Sequence, residues 1–260
     1  MEIKIFDNAN LAGKAAGTSA AHLIHKAIES NNTANIILAT GASQFETLNQ
    51  LVSDKNIDWE KVVMFHLDEY IRLPITHPAS FRKYLQERFL SKLPPLKATY
   101  FVNGETDPIA ECKRLGELIT RHPIDVALVG IGENGHLAFN DPPADFTTEQ
   151  AYIIVELDAQ CRRQQVNEGW FASMEEVPDR AISMSVNQIL KSKHIICSVP
   201  DTRKANAVKN TIQQQVNNFY PATILQWHPH CTFYLDKFSS ALLSPDVIEQ
   251  NTIYHNHQES

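Results

Sequence analysis

The chain has 260 residues, of which 43% are hydrophobic, and its 23 basic and 30 acidic residues give a formal net charge of −7. This length suits one α/β domain with a sizeable core, and the acidic balance gives no electrostatic support for a nucleic-acid partner. The sequence contains neither a long apolar run nor a signal-peptide pattern, so we expect no membrane association. Its four scattered cysteines form no CxxC pair, which favours a reduced, cytoplasmic compartment.

Strands and helices are predicted to alternate along the first half of the chain. Apolar residues recur there either at period two or in short continuous runs, as in strands, or at helical spacing. The predicted elements are a strand at 1–6, a helix at 11–30 capped by Asn10, a strand at 35–39, a helix through Leu48 and Leu51, a strand at 62–67, a helix at 81–89, a strand at 100–102 and a helix from Pro108 to about residue 121.

The second half continues the same alternation. Its predicted strands are 126–129, 152–155, 181–184, 194–199 and 232–235, and its predicted helices include Cys161, follow Ser185, and contain Ala205, Val208 and Ile212. Residues 143–150 show no periodicity and are predicted to form a loop. The whole pattern predicts an α/β fold with a doubly wound, mostly parallel sheet in a single domain over residues 1–260.

Polar residues follow several predicted strands directly. Asp68 and Glu69 follow one strand, and His136 lies among Asn134, Asp141 and other polar residues after the strand at 126–129. Ligand crevices of open α/β sheets lie beyond the carboxyl ends of the strands. His136 is therefore a candidate catalytic group, although a hydrogen-bonded structural histidine has the same pattern. For the two carboxylates, a solvated turn or a helix cap is the alternative.

The segment Thr40–Ser43 joins a strand to a helix through a glycine. Such a turn directs backbone N–H groups at an anion, although an ordinary βα turn would have the same sequence. The histidines at 228, 230, 255 and 257 lack carboxylates or cysteines at a ligand spacing, so no metal site is expected.

Taken together, four segments resemble the glucosamine-6-phosphate deaminases (isomerases), a family related to the 6-phosphogluconolactonases. The segments are Thr40–Ser43, Asp68–Tyr70, Gly130–Pro142 (GIGENGHLAFNDP) and Arg203–Ala205. They occur in the order and spacing of the family over nearly the whole chain. The Ala138-Phe139-Asn140 half of the third segment favours the deaminases over the lactonases.

The resemblance implies a Rossmann-like fold and conversion of an amino-sugar 6-phosphate into a ketose 6-phosphate and ammonia, without metal or cofactor. It implies that His136 moves the proton for ring opening and that Asp68 is the base that moves the C2 proton to C1. The implied phosphate-binding residues are Thr40, Gly41, Ala42, Ser43 and Lys204. A phosphosugar is the implied partner, and a homo-oligomer is left open.

Two positions beside the histidine depart from the family pattern. Many members have Asp and Glu where this chain has Asn134 and Asp141. Asn134 is expected to hold an imidazole tautomer by a hydrogen bond without stabilising an imidazolium by charge. Three explanations remain open: a neighbour such as Glu133 compensates, the substrate differs, or ring opening needs no assistance.

The arginine that binds phosphate in the family has two candidates here, Arg162 and Arg163. Residues 143–146 hold no counterpart of the basic residues by which some deaminases bind an allosteric N-acetylated sugar phosphate. The alternative functions are a galactosamine-6-phosphate deaminase, an isomerase without deamination, a lactonase-like hydrolase, and a sugar-phosphate sensor without catalysis.

Overall fold

A large parallel sheet and a small antiparallel sheet form the framework in the computed structural model, which describes residues 1–249 and 252–254. The strands are β1 (Glu2–Phe6), β2 (Ala34–Leu38), β3 (Val62–His66), β4 (Asp68–Tyr70), β5 (Ala98–Tyr100), β6 (Val126–Val129), β7 (Tyr152–Glu156), β8 (Arg180–Met184), β9 (His194–Val199), β10 (Cys231–Asp236) and β11 (Thr252–Tyr254). The helices are α1 (Ala9–Asn31), α2 (Phe45–Ser53), α3 (Phe81–Arg88), α4 (Pro108–Thr120), α5 (Ala159–Asn167), α6 (Val186–Leu190), α7 (Ala205–Gln213) and α8 (Pro245–Glu249).

The large sheet has the strand order β11-β1-β10-β9-β6-β2-β3-β5, and all of its pairings are parallel. Both of its faces are covered: in β2, Ile37 packs into one core while Ile36 and Leu38 pack into the other. A strand buried on both faces needs the continuous apolar run that the sequence shows. The prediction of a doubly wound, mostly parallel α/β sheet is confirmed.

The small sheet has the order β4-β8-β7 and is antiparallel. The strands predicted at 152–155 and 181–184 belong to it rather than to the parallel sheet. Residues 68–70, interpreted from the sequence as polar residues at the end of a strand, form its third strand. Local hydrophobic patterns predict that a segment is extended, but the partner strand is chosen by tertiary contacts.

Two details near the helices also differ from the sequence interpretation. Helix α1 is capped by Asn8, whose side chain accepts a hydrogen bond from the Leu11 N–H at 3.0 Å, and not by Asn10. The Asn10 amide instead donates to Glu46 on α2 at 2.8 Å. Residues 143–150 form no helix or strand, as predicted, whereas His255 and His257 lie outside the described residues. Among the described helices, none has the length and apolarity needed to cross a membrane.

Glu69 anchors the connection between the two sheets. Its fully buried carboxylate accepts hydrogen bonds from the Ser80 hydroxyl at 2.8 Å and from the Arg82 N–H at 2.9 Å, at the start of α3. The Arg82 guanidinium, also buried, lies 3.3 Å from the same carboxylate. A carboxylate is stabilised at a helix N-terminus, so Glu69 stabilises the first turn of α3, whose N-cap is Ser80, while its neighbour Asp68 takes no part in these contacts.

Replacing Glu69 by Ala should lower the free energy of unfolding by about 3–5 kcal/mol, because the buried Arg82 guanidinium loses a charged partner. Urea unfolding monitored by circular dichroism measures the change. Glu105→Gln is the matched control, since Glu105 contacts the same guanidinium at 2.8 Å from an exposed position. A loss for Glu69→Ala no larger than that of the control would contradict the anchoring role.

Candidate active site

A cavity of about 560 Å³ lies beyond the carboxyl ends of the parallel strands. Its walls are the segments that follow β2, β3, β6 and β9, and they include residues 39–43, 67–68, 130–132 and 200–204. The volume is within the range of small-molecule sites, and the location is the one expected for a ligand in an open α/β sheet. The polar segments picked out in the sequence therefore converge on one cavity.

Most of the sequence-predicted site residues line this cavity. They are Thr40, Gly41, Ala42, Ser43, Asp68, His136 and Lys204. The remaining two, Asn134 and Asp141, lie behind His136 and do not line it. These two residues can affect chemistry in the cavity only through the groups they contact.

Asp68 is an almost completely buried carboxylate in the cavity wall, with 5% of its surface exposed. Burial raises its pKa to about 8, the charge of neighbouring Glu69 adds to the rise, and a hydrogen bond from the Phe139 backbone opposes it. A carboxylate with a pKa near the working pH can both remove and return a proton. Asp68 therefore has the properties of a proton-transfer group, and the solvated-turn alternative is wrong for this residue.

The His136 ring is fixed by close packing and by one carboxylate. Its Nδ1 atom lies 3.1 Å from Asp141 Oδ1, although the ring N–H is not aligned for a full hydrogen bond. The ring lies so close to the backbone of Gly132 that a Cβ at that position would overlap it. Glycine at 132 is thus required by the position of the imidazole. His136 and Gly132 both line the cavity.

Asn134 does not contact the imidazole, contrary to the sequence-based expectation. Its Oδ1 atom accepts a hydrogen bond from the His136 backbone N–H at 3.0 Å. Its Nδ2 atom donates to Asp141 at 3.0 Å and to Asp158 at 3.1 Å. The amide therefore holds the carboxylate that holds the ring. Glu133, proposed as the compensating acid, instead pairs with Arg203 at 3.6 Å.

A candidate anion site lies where the 40–43 turn meets Lys204. Gly41 has a φ of 97°, in the left-handed region, and the following residues form a single 3₁₀ turn that leads into α2. Lys204 is 5% exposed, and burial lowers its pKa. Its ammonium has no ion pair within residues 1–249 and 252–254. A buried, unpaired cation beside a helix N-terminus is suited to a phosphate.

Neither of the two candidate arginines lines the cavity. The Arg162 guanidinium donates to the backbone oxygen atoms of Met174 and Val177 and so fastens the segment that follows α5. The cavity wall in this region is made instead by residues that the sequence analysis did not single out: Gln164, Gln165, Glu168 and Trp170. A signal for them is present in the sequence, because the helix predicted around Cys161 is rich in polar residues. Two of these, Gln164 and Gln165, are buried in the structure.

A group of three metal-ligand types also lies at this site. Within the described part of the chain, His136, Asp141 and Cys161 form the one such group, with their ligand atoms within 4.8 Å of one another. The Asp141 carboxylate already accepts hydrogen bonds from the Asn134 amide and from the Asp158 backbone N–H. We interpret these three side chains as part of the hydrogen-bonded network around Asp141 and not as a metal site.

Comparison with known proteins identifies the family. Residues 7–233 match the family described as glucosamine-6-phosphate isomerases/6-phosphogluconolactonase. The chain belongs to this family. It is 37% identical over 232 residues to the glucosamine-6-phosphate deaminase of Listeria monocytogenes serotype 4a (strain HCC23), covering 88% of this chain and 97% of that protein.

Solved structures agree with this assignment. A monomeric glucosamine-6-phosphate deaminase superposes with a TM-score of 0.84 at 27% identity, covering 93% of this chain and all of that one. The 6-phosphogluconolactonase of Trypanosoma brucei has a TM-score of 0.77 at 15% identity, covering 94% of this chain and 98% of that one, which shows a shared fold alone. The Rossmann-like fold implied by the resemblance is confirmed.

Replacing Gly132 by Ala should displace the His136 imidazole and lower the catalytic rate about 10²-fold, the cost of a misplacement of about 1 Å. Steady-state rates with the substrate proposed below measure the effect. Gly116→Ala is the control, because a Cβ there has open space on helix α4 and should leave the rate unchanged. Full activity of the Gly132→Ala protein would show that the ring position is not critical.

Proposed function

We propose that the chain is a glucosamine-6-phosphate deaminase, which converts glucosamine 6-phosphate and water into fructose 6-phosphate and ammonia. The observation that carries this proposal is the meeting of Asp68, His136 and Lys204 with the 40–43 turn in one cavity. These groups supply a base, an imidazole for proton transfer and an anion site. The Listeria relative supports the choice of substrate, since its name states this activity.

In the proposed complex the phosphate is held by Lys204 and by backbone N–H groups of the turn containing Gly41, Ala42 and Ser43. The buried ammonium and the start of helix α2 both favour a dianion. Holding the phosphate fixes one end of the sugar, so that its C1 and C2 atoms lie toward Asp68 and His136. Positioning of this kind supplies a large part of the rate in phosphosugar enzymes.

Ring opening is assigned to His136. The pyranose opens when the proton of the anomeric hydroxyl is removed and a proton is delivered to the ring oxygen, which breaks the C1–O5 bond. An imidazole can do both near neutral pH. Asp141, 3.1 Å from Nδ1, stabilises the imidazolium that forms in between. Asn134 takes part indirectly, because it holds Asp141 and accepts a hydrogen bond from the His136 backbone N–H.

Isomerisation is assigned to Asp68. The ionised carboxylate removes the C2 proton of the open-chain sugar, and a C1=C2 double bond forms as the C1 oxygen is protonated. Asp68 then returns its proton to C1, and the nitrogen lone pair forms an iminium group at C2. Water adds to that carbon and ammonia leaves, which gives the ketone of fructose 6-phosphate. One buried group carries the proton both ways, so solvent does not compete for it.

The direct test is to incubate the purified protein with glucosamine 6-phosphate and to measure ammonia and fructose 6-phosphate. Asp68→Asn should lower the rate by about 10²–10⁴-fold, the usual contribution of a general base. Galactosamine 6-phosphate and 6-phosphogluconolactone are the comparison substrates. Absence of ammonia from glucosamine 6-phosphate at high enzyme concentration would sink the proposal, and turnover of the lactone alone would favour the hydrolase.

The rate should also depend on pH through Asp68. Since its pKa is raised to about 8 and the base acts when ionised, kcat/KM should increase with pH up to about 8 and then level off. Because the substrate phosphate and amine titrate as well, proton release on binding a non-reacting amino-sugar alcohol 6-phosphate should be measured by calorimetry in two buffers. The difference between wild type and Asp68→Asn isolates this carboxyl group. A midpoint near 4 would contradict the assignment.

We further propose that the protein works in the cytoplasm and that residues 1–260 act as one catalytic domain. All four cysteines are free thiols, and three of them are buried, which suits a reducing compartment. The family match from residue 7 to residue 233 supports one catalytic unit.

A further inference from the structure

The Asp141 carboxylate receives its donors from several parts of the chain. Oδ1 lies 3.1 Å from His136 Nδ1 and accepts a hydrogen bond from Asn134 Nδ2 at 3.0 Å. Oδ2 accepts one from the backbone N–H of Asp158 at 3.1 Å. Asp158 comes from a segment 17 residues further along the chain. The position of Asp141, and with it that of the ring, therefore depends on where this segment lies.

Asn134 joins two carboxylates through one amide nitrogen. Nδ2 carries two hydrogens and has two acceptors, Asp141 Oδ1 at 3.0 Å and Asp158 Oδ2 at 3.1 Å. A carboxylate at residue 134 has no hydrogen to donate and would place a third negative charge against the other two. The asparagine is thus the side chain that this arrangement requires.

Asp158 connects the same network to the wall of the cavity. It is the N-cap of α5, and its Oδ1 atom accepts a hydrogen bond from the Cys161 N–H at 2.6 Å. Two buried residues of α5, Gln164 and Gln165, line the cavity. Gln164 also accepts a hydrogen bond from the Glu133 N–H at 3.0 Å, which ties the helix to the loop that carries His136.

We infer that Asp158 is a positioning residue, which acts through the Asn134 amide to hold Asp141 against His136 and to dock α5 on the cavity. It supplies the second negative charge beside the histidine that residue 134 does not carry. The inference rests on the proposed role of His136 in catalysis. It accounts for the asparagine at 134, whose amide donates to both carboxylates.

The charge of Asp158 is tested by Asp158→Asn, which keeps an N-cap for α5. The matched control is Asp107→Asn, which alters the N-cap of α4 in the same way at a residue that does not line the cavity. We expect kcat for glucosamine 6-phosphate to fall about tenfold with little change in KM for Asp158→Asn, and no change for the control.

A second measurement follows the titration of the His136 ring by NMR, with His136→Asn used to assign its signal. The titratable groups facing the ring are Asp141 and Cys161 beside it, Asp158 beyond the amide, and Asp68 in the same cavity. Loss of the negative charge in Asp158→Asn should move the titration midpoint downward by at least about 0.5 pH unit. A role limited to helix capping would leave the midpoint unchanged.

The double variant in which residues 134 and 158 exchange Asn and Asp provides the decisive comparison. Asn134→Asp alone should raise the midpoint and lower kcat, because three carboxylates then meet. Asn134→Asp combined with Asp158→Asn restores the original charge and should return the midpoint toward that of wild type. If Asp158→Asn matches Asp107→Asn in both kcat and midpoint, the inference is wrong. The NMR result does not require turnover, so it can fail or succeed independently of the proposed activity.

Discussion

The buried carboxylate of Glu69 fixes the place where the two sheets meet, and the site depends on that junction. A single residue, Leu67, separates the last residue of β3 from the first of β4. Glu69 holds β4 in place by accepting hydrogen bonds from the start of α3 and pairing with Arg82. Asp68 is thereby held in the cavity wall without support from solvent. A loop at the same point would leave its carboxyl group hydrated, with the ordinary pKa of an aspartate.

The fold places these two adjacent buried carboxylates in different surroundings. Glu69 accepts hydrogen bonds from the start of α3 and pairs with Arg82. Asp68 has fewer such partners, and burial raises its pKa to about 8. Side chains alternate along a strand, and neighbouring residues therefore face different surroundings. The sequence presents the two carboxylates as equivalent, and only their burial and hydrogen-bond partners distinguish them.

His136 is held by a network in which the Asn134 amide joins two carboxylates. Asn134 reaches the ring only through Asp141, and its amide joins Asp141 to a second carboxylate, Asp158. The negative charge is thus supplied by the start of α5, the helix that also covers the cavity. The histidine and the α5 wall of the cavity are thereby joined in one hydrogen-bonded network.

Most of the strands and helices, the end of the sheet that carries the candidate site, and the family could be predicted from the sequence, because apolar periodicity and short motifs are local properties. The strand β4 and the bounds of β5 were not predicted. The sequence predicted the bounds of β6 correctly, and it predicted that Asp68 and His136 belong to one site, whose cavity both residues line. Three features could not be predicted and are visible only in the folded chain: β7 lies outside the parallel sheet, Arg162 holds a loop, and Asp158 lies beside Asn134. Strand partners and side-chain contacts depend on residues distant in the chain, which no local pattern records.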